Sequence, residues 1–131
     1  MLCLRSARYK TPKGLYSELS AMCGRGEVSF ASARIFAVTE YADLPYENPE
    51  NCRHMLNECL IKNIDIKPES CHYLTRDDFE HYDDELAACG GIDIAVLGIG
   101  ENAHIGFDEP ATPFYSFTHI QKLTERTRRS K

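Results

Sequence analysis

Ile92-Asp93-Ile94-Ala95-Val96-Leu97 runs directly into Gly98-Ile99-Gly100-Glu101-Asn102-Ala103-His104-Ile105-Gly106-Phe107-Asp108-Glu109-Pro110. The first part is apolar apart from Asp93, the pattern of a strand buried on both faces of a parallel sheet. The second part is a Gly-rich turn that carries an imidazole, an amide and carboxylates. In open parallel sheets, ligands sit beyond the carboxyl ends of the strands, so residues 98–110 are expected to form an active-site loop.

Upstream of this stretch, strand-like and helix-like segments alternate. Met1 to Leu4 reads as a short strand. Thr11-Pro12 then supplies an N-cap and N1 pair for a helix with Leu15, Tyr16, Leu19 and Met22 as its apolar stripe, ended by Gly24 and Gly26. Ala33 to Val38 is a second strand running into Thr39-Glu40-Tyr41. Cys52, Met55, Leu56, Cys59 and Leu60 recur at helical spacing, and the helix must stop before Ile64-Asp65-Ile66-Lys67-Pro68. Cys71 to Leu74 is a candidate short strand. Phe79, Tyr82, Leu86 and Cys89 mark an amphipathic helix closed by Gly90-Gly91. Such alternation implies an α/β parallel sheet.

Composition narrows the function classes. The 131 residues suffice for one small core, and a net charge of -5 gives no support for a nucleic-acid-binding surface. The basic cluster Lys122, Arg126, Arg128, Arg129, Lys131 reads as a solvated terminal face. The six cysteines contain no C-x-x-C pair, so neither a zinc site nor a disulfide scaffold is suggested, and reduced core thiols are expected. No apolar run approaches the ~20 residues of a membrane span, and no signal-peptide pattern opens the chain. The expected compartment is the cytoplasm.

Within the loop, Gly98 and Gly100 remove side chains where the backbone turns and approaches a ligand, and their exposed amides suit an anion or hydroxyl. His104 with Glu109 reads as a proton-transfer dyad: imidazole titrates near ~6.5, and a carboxylate orients and charge-stabilises it. Taken alone, His104 also reads as a structural histidine bonded to a backbone carbonyl. A metal reading of His104, Asp108 and Glu109 lacks a second histidine, so no metal is expected. Nucleophilic catalysis is not signalled either, for no G-x-S-x-G elbow exists.

Leu97 to Pro110, LGIGENAHIGFDEP, resembles the L-G-I-G-x-N-G-H-I-G-F-N-E-P signature of the glucosamine-6-phosphate deaminase family. The likeness extends through Thr118-His119 and Leu123-Thr124 to Thr127-Arg128. Upstream, Glu40-Tyr41-Ala42-Asp43-Leu44-Pro45 resembles the family's D-E-Y-x-x-L-P. The resemblance implies an α/β fold, a Rossmann-like parallel sheet flanked by helices, here incomplete. Residues 1–131 then form a single partial sugar-phosphate isomerase/deaminase-like domain. It implies conversion of glucosamine 6-phosphate and water to fructose 6-phosphate and ammonia without a cofactor, and a sugar phosphate as the small-molecule partner. His104 matches the ring-opening histidine, Glu109 its supporting carboxylate, and Asn102 the third position of that relay. Thr11, Gly100 and Ala103 are the expected substrate-binding positions. Family enzymes are monomers or hexamers, so a homo-oligomer is compatible with the resemblance.

Three departures bear on activity. The family's enolisation base is the aspartate of D-E-Y, and Thr39 stands there; an alcohol with no activating base does not accept a C2 proton at neutral pH as a carboxylate does. On an extended segment the neighbouring Glu40 points to the opposite face. The family's T-G-G-T-P or S-G-A-T-P phosphate loop is replaced by Arg5-Ser6-Ala7-Arg8-Tyr9-Lys10-Thr11-Pro12, which has no glycine and reads as an altered surface loop, although its cations attract phosphate. Finally, family members are roughly twice as long, which leaves sheet edges and apolar surface to be covered. Two other functions stay open: a 6-phosphogluconolactonase-like hydrolase, whose loops are similar, and a non-catalytic sugar-phosphate-binding or interaction module. Phe114, Tyr115 and Phe117 read as ordinary core aromatics, with an interface as the other reading.

Overall fold

The computed structural model describes residues 2–4, for which only the backbone is considered, and residues 12–129. Strands β1 (Leu2–Leu4), β2 (Ile35–Ala37), β3 (Cys71–His72) and β4 (Ile94–Val96) form one sheet in the order β3-β2-β1-β4. Every pairing is parallel, with Leu2 opposite both Ile35 and Ile94, and Ile35 opposite Cys71. Helices α1 (Lys13–Gly24), α2 (Cys52–Cys59) and α3 (Tyr82–Ala88) make the crossovers, and α4 (Glu125–Arg129) follows the loop region. The α/β parallel-sheet expectation is met.

The core follows from the pleat of β2. Ile35 and Ala37 project to one face, where they meet Tyr16 of α1 and Leu56 of α2, together with Leu60 and Ile66. Phe36 projects to the other, against Tyr82 of α3. Its ring stacks on His72 at 4.1 Å and meets the Tyr82 ring edge-on at 5.6 Å. Tyr82 carries its hydroxyl to the Ala37 carbonyl (2.7 Å) and lies 3.1 Å from that of His72, which ties α3 to two strands. Complete burial of Ile35, Phe36, Leu56 and Leu60 makes this the stability centre, where truncation to alanine costs about 2–5 kcal/mol.

Helix termini obey local chemistry. Asn51 caps α2, accepting the His54 N–H at 2.9 Å, and the Gly90 and Gly91 amides close α3 on the carbonyls of Ala87 and Leu86. At α1 it is Pro12, not Thr11, that precedes the first helical residue, and its carbonyl accepts the Tyr16 N–H. Thr11 and the cations of the preceding loop lie outside the described residues, so their expected phosphate contact does too. Leu15, expected in the α1 stripe, is exposed, because Tyr16 and Leu19 already span the contact with the core. Cys52 is buried, and Cys23, Cys59, Cys71 and Cys89 are half-buried free thiols.

Two burial expectations are corrected. The 92–97 segment forms a strand, but not one covered on both faces: Ile94 is 59% exposed, and Ile92 and Leu97 are exposed as well. The reason is position, since β4 pairs with β1 alone at the sheet edge. The aromatics Phe114, Tyr115 and Phe117 are 100%, 95% and 78% exposed, and do not join the core. Their segment is tethered at Thr118, whose N–H and hydroxyl both reach the Asp83 carboxylate of α3 at 2.6 and 3.1 Å.

The order β3-β2-β1-β4 also locates the site. From β1 the chain steps outward to β2 and β3, then returns to the far side of β1. The strand order therefore reverses between β1 and β4, and loops leaving there diverge to open a ligand crevice. The loop leaving β4 is the Gly98 to Pro110 stretch. No helix among the described residues is long and apolar enough to cross a membrane.

Candidate active site

Backbone hydrogen bonds fold the loop back on itself. The Gly100 amide donates to the His104 carbonyl at 2.8 Å, the Ala103 amide to the Gly100 carbonyl at 2.9 Å, and the Gly106 amide to the Gly98 carbonyl at 3.2 Å. Antiparallel bridges join Ile99 to Ile105 and Ile105 to Asp108. Of the expected ligand-facing amides of Gly98 and Gly100, that of Gly100 is corrected: its donor is engaged inside the turn, as is the amide of Ala103. What Gly100 supplies is space, because a Cβ there would stand 1.9 Å from His104 Cε1. Ala103 holds the left-handed conformation, at φ 65°, which explains glycine in the family signature at this position.

This turn places His104, 3% exposed, beside Asn102. Asn102 Oδ1 lies 2.5 Å from His104 Nδ1, and Asn102 Nδ2 donates to Glu109 Oε2 at 3.1 Å. The expected dyad is thus a triad in series: the amide stands between imidazole and carboxylate. Chemistry assigns the protons. An ionised carboxylate only accepts, so the amide turns its NH2 toward Glu109 and its oxygen toward the ring, and neutral His104 must carry its proton on Nδ1. Nε2 then holds the lone pair that acts as a base.

Glu109 is buried and strongly bound. Its Oε1 accepts the Thr124 N–H at 2.8 Å. Desolvation pushes its carboxyl pKa up, but hydrogen bonds from the Thr124 amide, the Thr127 and Thr124 hydroxyls and the Asn102 amide outweigh this and hold it below the usual carboxylate value. Thr127, 1% exposed on α4, lies 3.1 Å from Asn102 Nδ2 and 3.3 Å from His104 Nδ1. Thr124 caps α4, its hydroxyl accepting the Thr127 N–H at 3.2 Å. Sequence reasoning missed both threonines as members of the site. Their T-x-x-T spacing, where a side chain at the first position caps the turn carrying the second, was the available signal.

Thr39, at the exit of β2, is buried and lines a cleft of about 1110 Å³ together with Tyr41, Gly106, Phe107, Asp108 and residues 116–123. The ring of Phe107 packs on Tyr41 at 4.9 Å, which draws the loop and the β2 exit together. His104, Asn102 and Glu109 do not line this cleft, but their loop forms one of its walls. Glu40 accepts the N–H groups of Tyr41 (2.7 Å), Cys52 (3.0 Å) and Arg53 (2.8 Å), so its carboxylate is bound at the start of α2. That engagement commits the Glu40 carboxylate to the local fold. Among the described residues no group of three His, Cys, Asp or Glu side chains is placed to hold a metal ion.

A family profile described as glucosamine-6-phosphate isomerases/6-phosphogluconolactonase matches residues 10–107. Glucosamine-6-phosphate deaminase of Pseudoalteromonas translucida is 40% identical over 124 residues, covering 89% of this chain and 46% of the relative. The structure of a monomeric glucosamine-6-phosphate deaminase superposes with a TM-score of 0.88 at 32% identity, over 98% of this chain and 56% of that one. A 6-phosphogluconolactonase from Thermotoga maritima shares the fold, with a TM-score of 0.69 at 23% identity over 82% of this chain and 50% of that one. The chain spans about half the length of the curated relatives it matches. With the fold, the signature loop and these matches agreeing, the chain belongs to the glucosamine-6-phosphate isomerase/6-phosphogluconolactonase family, and its relatives at about 40% identity are glucosamine-6-phosphate deaminases.

Proposed function

We propose that residues 1–131 form a partial hexosamine-phosphate deaminase domain, acting on glucosamine 6-phosphate to give fructose 6-phosphate and ammonia. The observation that carries this reading is the Glu109–Asn102–His104 series at the switch point of the sheet. In this reading His104 Nε2 takes the proton of the sugar's C1 hydroxyl and returns a proton to the ring oxygen as the C1–O5 bond breaks, giving the open-chain aldehyde. Asn102 holds the ring in the required tautomer. Glu109, kept ionised by its donors, stabilises the imidazolium formed between the two transfers through the amide dipole.

The next step takes the C2 proton, after which reprotonation at C1 gives a ketimine that water hydrolyses to ketose and ammonia. A carboxylate suits that proton; Thr39 does not supply one. Isomerisation is therefore the slow step here, and ring opening the step the described residues are built for. The setting proposed is cytoplasmic amino-sugar metabolism, the breakdown of N-acetylglucosamine included. Gly100 and Ala103 belong to this site as shapers of the loop, and the family resemblance adds Thr11 as a substrate-binding residue.

Incubating the purified chain with glucosamine 6-phosphate and reading ammonia and fructose 6-phosphate tests the reading. Slow release of both products is expected, with no acid from 6-phosphogluconolactone. Acid from the lactone with no ammonia from the amino sugar would assign the site to lactone hydrolysis instead.

A further inference from the structure

An amide side chain has two orientations related by a half-turn, and at Asn102 the choice decides the chemistry of His104. In the observed orientation Oδ1 faces the ring and Nδ1 is the donor. In the flipped one the NH2 faces the ring, Nδ1 must hold the lone pair, and the proton moves to Nε2, where it blocks base action. Glu109 alone discriminates between the two only while it is ionised, because a protonated carboxyl can donate to a flipped Oδ1.

Thr127 supplies the second discriminator. Its oxygen receives the Thr124 hydroxyl at 3.1 Å, which makes it an acceptor within the turn. The oxygen is then an acceptor toward Asn102, 3.1 Å from Nδ2. Two acceptors, Glu109 Oε2 and Thr127 Oγ1, thus face the two amide hydrogens, and a flipped Asn102 would give up both of these bonds. The first turn of α4 delivers this arrangement: Thr124 binds Glu109 through its amide and the Thr127 N–H through its hydroxyl. Thr127 Oγ1 also lies 3.3 Å from Nδ1.

We propose that Thr127 is a positioning residue which locks the Asn102 amide and so keeps the proton of neutral His104 on Nδ1. The proposal rests on the relay reading of the site, but its test needs no turnover. Long-range 1H–15N correlation spectra of the 15N-labelled chain, taken where His104 is neutral, report the tautomer directly. The wild-type protein is expected to show Nδ1–H, and Thr127→Ser, which restores a hydroxyl, to show the same. Thr127→Val is expected to lose the single tautomer and gain the Nε2–H form that free imidazole side chains favour, with backbone amide dispersion unchanged. Thr127→Ala, which removes the hydroxyl without filling its place, provides the same readout if valine disturbs packing. Retention of pure Nδ1–H in a folded valine or alanine variant, or Nε2–H in the wild type, would overturn the proposal. Absence of ammonia release would instead count against the activity.

Discussion

Glu109 and His104 face each other across a side chain rather than in contact: Asn102 donates to Glu109 Oε2 at 3.1 Å and meets His104 Nδ1 at 2.5 Å. An amide cannot pass a proton from one neighbour to the other as a carboxylic acid does. The series therefore transmits orientation and field, and Glu109 stays ionised while His104 exchanges protons with the substrate.

The lowered pKa of Glu109 gives a pH-dependent stability of definite sign. A carboxyl whose folded pKa lies below its unfolded value, about 4.3, contributes stability that is present above the unfolded value and lost as pH falls through the folded one. Denaturant melts of wild type and Glu109→Gln should thus differ most above that window and converge below it. A gap that persists unchanged at low pH would show that the carboxylate's charge is not what its neighbours hold.

Substitution at the two small residues of the turn should act in opposite directions. Ala103→Gly relieves a left-handed alanine and should stabilise the chain by up to about 1 kcal/mol. Gly100→Ala drives a methyl into the imidazole and should cost about 1–3 kcal/mol, with His104 displaced in the NMR spectrum. Urea unfolding checks both signs.

Glu40 is assigned to structure, and residue 39 to chemistry. Glu40→Ala should lower stability by about 1 kcal/mol through loss of its hold on the start of α2, read in the same unfolding experiment. Thr39→Asp should raise ammonia release about 10²–10⁴-fold, the range a positioned proton acceptor supplies. Loss of that gain in the Thr39→Asp protein on adding Glu40→Gln, with the fold intact, would return Glu40 to the chemistry.

The exposed aromatics bury almost nothing within the chain. Replacing Phe114, Tyr115 and Phe117 together by serine should change unfolding free energy by no more than about 0.5 kcal/mol per site, as for other exposed positions. A large loss of stability would mean that these rings pack in solution.

The alternation of strands and helices was legible because β2 carries its apolar residues on both faces and the helices carry theirs at helical spacing. The loop was legible because glycine, imidazole and carboxylate cluster in one short stretch. Burial of β4 was not, since an apolar run reads alike at the edge and in the middle of a sheet, and only the order β3-β2-β1-β4 separates the two. The insertion of Asn102 between His104 and Glu109 was hidden for a similar reason: sequence spacing says which residues share a loop, not which of them lies between the others. Thr124 and Thr127 enter from the cap and first turn of α4, beyond the reach of any local pattern in residues 98–110.

Ring opening itself is the most direct test of the account, because it depends on His104 and not on residue 39. Exchange between the α and β anomers of glucosamine 6-phosphate, followed by NMR saturation transfer, measures it without any need for deamination. The account predicts faster anomer exchange with both wild type and Thr39→Asp, and return to the rate of the buffer with His104→Gln. Exchange at the buffer rate with wild type, or acceleration that survives His104→Gln, would contradict it.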